Sequence, residues 1–230
     1  MKISTRATYV SALSVLMASL VGVPRTARAQ VHWDVGAELG IMKRVLTSRT
    51  PEASDAGLGP TGEIHAHVAL LPLVRVGAYL GHDISPQKDT TARQITSFGA
   101  RVKLNSPWPR DAWHAWVFTG FGYAAVYGPS YVRNVATSPV ASTRENFLVD
   151  GAGGGYFEIP IGIGVGYKIR KPLEITAELS GKLGLGFSGS LYDLGPGRVG
   201  RSPTQNQLSF DNPGNDSFGL GLLVGVSFDL

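Results

Sequence analysis

The 230-residue sequence predicts an all-β fold: a closed, antiparallel, up-and-down transmembrane β-barrel of eight strands. Three observations predict it. The last fourteen residues alternate strictly. Phe218, Leu220, Leu222, Val224, Val226, Phe228 and Leu230 fall on one face, and Gly219, Gly221, Leu223, Gly225, Ser227 and Asp229 on the other. The same period of two recurs through the chain, in place of helical spacing. Long and short connections alternate between the strands, as they do in a meander.

The N-terminus reads as an export leader. Lys2 and Arg6 form a basic start, residues 9–23 are mostly apolar, and Ala27-Arg28-Ala29 supplies small residues where cleavage is decided. The expected division is residues 1–29 as secretory signal peptide and 30–230 as barrel. The apolar run is shorter than the ~20 residues that a membrane helix needs. The chain has no cysteine, which excludes a lipoprotein anchor, disulfides and thiol chemistry. Four of the 21 Lys and Arg residues (Lys2, Arg6, Arg25, Arg28) precede Gln30, and none of the 17 Asp and Glu residues do, so the remainder is balanced at 17 of each sign. The basic pI of the whole sequence belongs to the leader, and no nucleic-acid partner is expected.

The strands follow in order. The first, residues 31–41, sets Trp33, Val35, Ala37, Leu39 and Ile41 against Asp34, Gly36, Glu38 and Gly40. The second, 63–71, sets Ile64, Ala66, Val68 and Leu70 against Glu63, His65 and His67. The third, 74–83, sets Val74, Val76, Ala78 and Leu80 against Arg75, Gly77, Tyr79, Gly81 and Asp83. The fourth, 95–104, sets Phe98, Ala100, Val102 and Leu104 against Ser97, Gly99, Arg101 and Lys103. The fifth, 113–127, places Trp116 and Phe118 on the otherwise polar face beside Gly120 and Gly122, a conflict that a bulge would resolve. The sixth, 156–169, sets Phe157, Ile159, Ile161, Ile163, Val165 and Tyr167 against Glu158, Gly162, Gly164, Gly166 and Lys168. The seventh, 173–187, opposes its Leu, Ile and Ala residues with Glu174, Thr176, Glu178, Ser180, Lys182, Gly184 and Gly186. The eighth is the C-terminal strand. Pro160 cannot donate to a ladder, and a bulge is expected there.

Short connections lie around Pro72, at 105–111 and at 170–172. Long polar ones lie at 46–61, 85–94, 128–155 and 188–216. In outer-membrane barrels the short turns face the periplasm and the long loops the outside. The composition of the last two loops specifies little structure.

The apolar face is expected to meet lipid. It carries no charge at mid-strand, where Arg or Lys costs about 2–4 kcal/mol. Strand glycines sort to the polar face, with Gly181 the main mid-strand exception, and a narrow lumen needs small residues there between long ones. Apolar-face aromatics gather at strand ends: Trp33, Tyr167 and Phe228 at one, and Phe121, Tyr123, Phe157, Phe187 and Phe218 towards the other.

In this pattern the chain resembles the OmpA-like and OmpX-like small outer-membrane β-barrel proteins, within the broad outer membrane protein beta-barrel domain group. The local likeness lies in Tyr156-Phe157-Glu158-Ile159-Pro160-Ile161 and in the terminal Phe228-Asp229-Leu230. Such chains usually end in Phe; this one ends in Leu230. The resemblance implies an outer-membrane location, with outer-membrane lipids and the barrel-assembly machinery as partners.

The candidate site is a lumen polar cluster of Asp34, Glu38, Glu63, His65, His67, Arg75, Arg101, Lys103, Glu158, Glu174, Glu178 and Lys182. Both signs on one inward face read as a lumen filled by ion pairs, in preference to a selective pore. Glu63, His65 and His67 share a face at metal-ligand spacing, but no distant ligand motif accompanies them, so no metal or cofactor is expected. His82, Asp83 and Ser85 sit at a loop rim and match no hydrolase motif. The expected function is non-enzymatic: envelope structure or surface interaction through four loops. The alternatives are a narrow pore or carrier for small or apolar solutes, or a lipid-modifying enzyme.

Overall fold

The computed structural model describes residues 32–46, 57–86, 92–107, 112–129, 131–136, 144–149, 153–190, 198–201, 207–210 and 217–230. The expected leader, 1–29, lies outside the described residues. The described residues form twelve strands: β1 (Trp33–Leu46), β2 (Leu58–Leu71), β3 (Val74–Ser85), β4 (Arg93–Asn105), β5 (Trp113–Tyr127), β6 (Tyr131–Ala136), β7 (Arg144–Val149), β8 (Gly153–Arg170), β9 (Leu173–Ser190), β10 (Arg198–Arg201), β11 (Gln207–Phe210) and β12 (Ser217–Asp229).

Eight of them close a barrel in the order β1-β12-β9-β8-β5-β4-β3-β2, every pair antiparallel. The closing seam pairs Asp34 with Asp229 through Leu46 with Ser217. Beyond it, the Leu230 amide donates to the Trp33 carbonyl at 2.7 Å and the Trp33 amide donates back at 2.9 Å. The last alternating residues of the sequence are therefore the strand that seals the barrel, and no sheet edge remains there. The strand ends that flank the three short connections (71 and 74, 105 and 113, 170 and 173) lie at the same end as this seam's start, the turn end; the strand ends that flank the four long connections lie at the other, the loop end.

The two faces separate as the alternation requires. Leu39 is 75% exposed and its neighbour Glu38 is 1% exposed. Ile64, Phe98, Ile163, Leu222 and Val224 lie on the exposed apolar wall, and the charged side chains on the alternate positions are buried. The wall is apolar outward and polar inward, the reverse of a soluble barrel. Its aromatics cluster towards the ends: Trp113 meets Tyr167 at 4.8 Å with the rings tilted, and Phe121 lies 5.5 Å from Phe157, which also meets Tyr123 at 6.0 Å. The side chain of Phe187 lies outside the described residues.

Three sequence expectations change. First, no bulge shifts β5: its pairing to β4 runs unbroken from Asn105↔Trp116 to Gln94↔Tyr127, and Trp116 and Phe118 simply point into the lumen. Glycines make room for them, since a Cβ on Gly164 would strike the Trp116 indole and one on Gly162 the Phe118 ring. Secondly, Pro160 makes no bulge. It keeps its place opposite Lys182, while across β5 the ladder drops Gly120 and Phe121 and resumes in the same register at Gly122↔Glu158. The bulge lies nearer the loop end, where Tyr156 faces two residues of β9, Gly186 and Phe187. Gly186 has φ +65°, a left-handed conformation that glycine adopts without a Cβ clash.

Thirdly, the two longest loops contain regular structure. The β6–β7 hairpin and the β10–β11 hairpin join in a second sheet of order β11-β10-β7-β6, linked at Arg201↔Leu148. Overall loop composition masked two short β-prone runs, Tyr131-Val132-Arg133-Asn134-Val135 and Asn146-Phe147-Leu148-Val149.

Candidate functional site

The lumen is the candidate site, because it gathers buried charge from six of the eight barrel strands, β1, β2, β3, β4, β8 and β9. It is built in three layers. At the turn end, Asp34 of β1 is the centre. Its Oδ2 accepts from Lys103 Nζ at 2.8 Å and lies 3.3 Å from the Arg75 guanidinium, while the Ser227 hydroxyl donates to Oδ1. Arg75, partly exposed at the mouth, also donates to Asp229 at 3.1 Å. His114 Nε2 lies 2.8 Å from Glu174 Oε1. Below these groups, a cavity of about 300 Å³ opens between Asp34, Arg75, His114, Glu174 and Asp229.

In the middle layer, Arg101 crosses the barrel. It donates to Glu63 at 2.5 Å and to both oxygens of Glu178 at 2.6 Å. Its guanidinium lies over the Phe118 ring at 3.5 Å, and Lys103 Nζ lies over Trp116 at 3.9 Å. The Trp116 indole donates to Glu178 at 2.8 Å, and Thr176 donates to Glu38 at 2.7 Å. A buried charge is tolerated only when paired and hydrogen-bonded, and the two aromatic faces add cation–π attraction in a desolvated interior.

At the loop end, Asp83 takes the central place. Arg44 donates to it, Thr61 donates at 2.5 Å, and Lys182 approaches both of its oxygens at 3.4 Å. Glu158 joins the cluster, 3.3 Å from Arg44, 3.9 Å from Lys182 and 3.5 Å from the Tyr79 hydroxyl.

The structure thus places eleven of the sequence candidates (Asp34, Glu38, Glu63, His65, His67, Arg101, Lys103, Glu158, Glu174, Glu178 and Lys182) in the buried lumen, and Arg75 at its mouth. Lys168, which shares their parity, stands exposed beside a register shift at the β8–β9 turn. Arg44 and Thr61 join the lumen without a signal in the predicted strands, and Asp83, Trp116 and Phe118, which the alternation puts on inward positions, belong to its cluster as well. Arg44 lies beyond Ile41, where the predicted first strand stops, in the part of β1 that runs on to Leu46. The alternation Glu38, Gly40, Met42, Arg44 continues past that point and would have found it.

His82 and Ser85 are not brought together. They fall on opposite faces of β3: His82 is outward, hydrogen-bonded to Thr96 at 3.0 Å, and Ser85 is buried inward with Asp83. An imidazole on the far side of a strand cannot take the Ser85 proton.

No protein-family model and no curated protein sequence matches the chain. Solved structures do. Neisserial surface protein A shares 9% identity at a TM-score of 0.55, over 86% of this chain and 97% of that one. A major outer membrane protein from Thermus thermophilus shares 14% identity at a TM-score of 0.54, over 87% of this chain and 99% of that one. At such identities the likeness is one of fold: this chain has the fold of the small eight-stranded outer-membrane barrels.

Proposed function

We propose that the chain is a non-enzymatic integral outer-membrane protein that holds a closed barrel in the lipid and presents its loop-end sheet outside the cell. The observation that carries this reading is the stack of ion-pair layers. Arg44, Asp83, Lys182 and Glu158 close the loop end, and Arg101, Glu63 and Glu178 close the middle, with Trp116 and Phe118 filling the space beside them. Outer-membrane lipids would cover the apolar wall, and the barrel-assembly machinery would insert it. Contact with an external partner would fall to β6, β7, β10 and β11, since loops on a rigid scaffold are where recognition sits. Fold alone does not assign that partner.

The turn-end cavity is the observation on the side of a narrow pore. Planar-bilayer recording separates the two readings. The purified barrel is expected to give no unitary conductance. Reproducible steps that change when Arg101 or Lys182 is replaced would establish the pore instead. Location has its own check: the protein should fractionate with outer membranes and migrate differently on a denaturing gel before and after boiling, and recovery in the soluble fraction would overturn the membrane assignment.

A further inference from the structure

We propose that Asp34, His65 and His67 form a binding site for a divalent transition-metal ion of the zinc, nickel or copper kind, near the turn end of the lumen. The juxtaposition comes from sheet register. His67 of β2 lies directly across from Asp34 of β1, and His65 lies across from Gly36. Successive inward positions of β2 therefore put two imidazoles beside the Asp34 carboxylate. The distant ligand that the sequence motif lacked is supplied by the neighbouring strand. Glu63, the carboxylate that shares their face in the sequence, is instead turned to Arg101.

The geometry suits an ion. One ligand atom from each residue lies within 4.8 Å of the other two. The His67 Nδ1 to Asp34 Oδ2 distance is 3.8 Å, and the two rings are 4.9 Å apart at 48°. Metal bonds of about 2.0–2.1 Å in a tetrahedron set ligands about 3.4 Å apart, so small side-chain rotations complete the set. Gly36 keeps the space for the His65 ring, because a Cβ there would meet Nε2 and Cε1.

Chemistry favours occupation. All four imidazole nitrogens of His65 and His67 are buried without a hydrogen-bond partner among the described residues. Buried polar atoms are normally satisfied, and two unpaired imidazoles side by side are an exception that a bound cation explains. Neutral imidazole with carboxylate is a donor set for these metals. The turn-end cavity reaches Asp34 and supplies an entry path.

Lys103 is the competitor, since its ammonium holds Asp34 Oδ2 at 2.8 Å. An arriving ion would displace it, and it already rests over the Trp116 face at 3.9 Å. The site follows from the closed lumen and is independent of the role of the loops.

The test uses the mature barrel folded in detergent without a histidine tag, with Zn²⁺ by calorimetry and Co²⁺ by its visible absorption. One ion per barrel is expected. Its affinity should fall about tenfold or more in His65→Gln and in His67→Gln, with folding checked by heat-modifiable migration. Lys103→Met should tighten binding about tenfold, and a gain of affinity cannot be mimicked by misfolding. Absence of stoichiometric binding, binding that survives the double His variant, or unchanged affinity in Lys103→Met would each overturn the proposal.

Discussion

Two aspartates hold the two ends of the lumen, and their surroundings differ. Asp83 at the loop end is enclosed by Arg44, Lys182 and Thr61, and its cations lie in the same closed cluster as Glu158. Asp34 at the turn end also has two cations and a hydroxyl, but one of those cations, Arg75, stands partly in solvent beside a cavity, and two imidazoles without hydrogen bonds flank the carboxylate. The same carboxylate-with-cations motif is thus a lock at one end and an adaptable site at the other. The difference is hydration. A cation that can reach water survives the loss of its partner, and one that cannot is left buried and unpaired.

The sharpest way to break this comparison is to neutralise each aspartate in turn. Asp83→Asn leaves the buried Arg44 and Lys182 to share the charge of Glu158, and about 3–5 kcal/mol of stability should be lost. The measurement is the urea midpoint in lipid vesicles followed by tryptophan fluorescence. Seen from the lipid side, the wall between the two ends should be least tolerant at mid-height. Leu222→Arg is expected to cost about 2–4 kcal/mol and Phe228→Arg at the turn-end rim about 0–1 kcal/mol, read by the same unfolding series. Asp34→Asn should cost less than Asp83→Asn, about 1.5–3 kcal/mol, because Arg75 can hydrate through the cavity and Lys103 can stay on Trp116. Equal losses at the two aspartates would dissolve the distinction between lock and site. The smallest effect belongs to Arg75→Gln, where a partly exposed pair contributes about 0–1 kcal/mol, and that loss should shrink further in high salt.

Much of the fold was legible in the sequence, because period-two alternation is a local property that each strand carries by itself. The inward parity of Asp34, Glu38, Arg101 and Lys182 could be read without knowing any neighbour. The conflict at Trp116 and Phe118 was legible too, but its resolution was not. Whether two large rings fit inside depends on Gly164 and Gly162 of β8, a strand more than forty residues away in the chain. The second sheet was hidden for another reason: β10 and β11 are four residues each, too short for a periodic signal, and they pair with each other and touch the other hairpin at Arg201↔Leu148.

The sequence by itself determined the eight barrel strands, their two faces and the order in which they meander. Only the tertiary structure decided which inward side chains meet. Lys103 reaches Asp34 across 69 residues of chain and Arg101 reaches Glu178 across 77, because closure and stagger of the sheet set heights around the lumen that no single strand encodes. That is why the alternation announced a charged interior, while the pairing of His65 and His67 with Asp34 in place of Glu63 emerged from the register of β1 against β2.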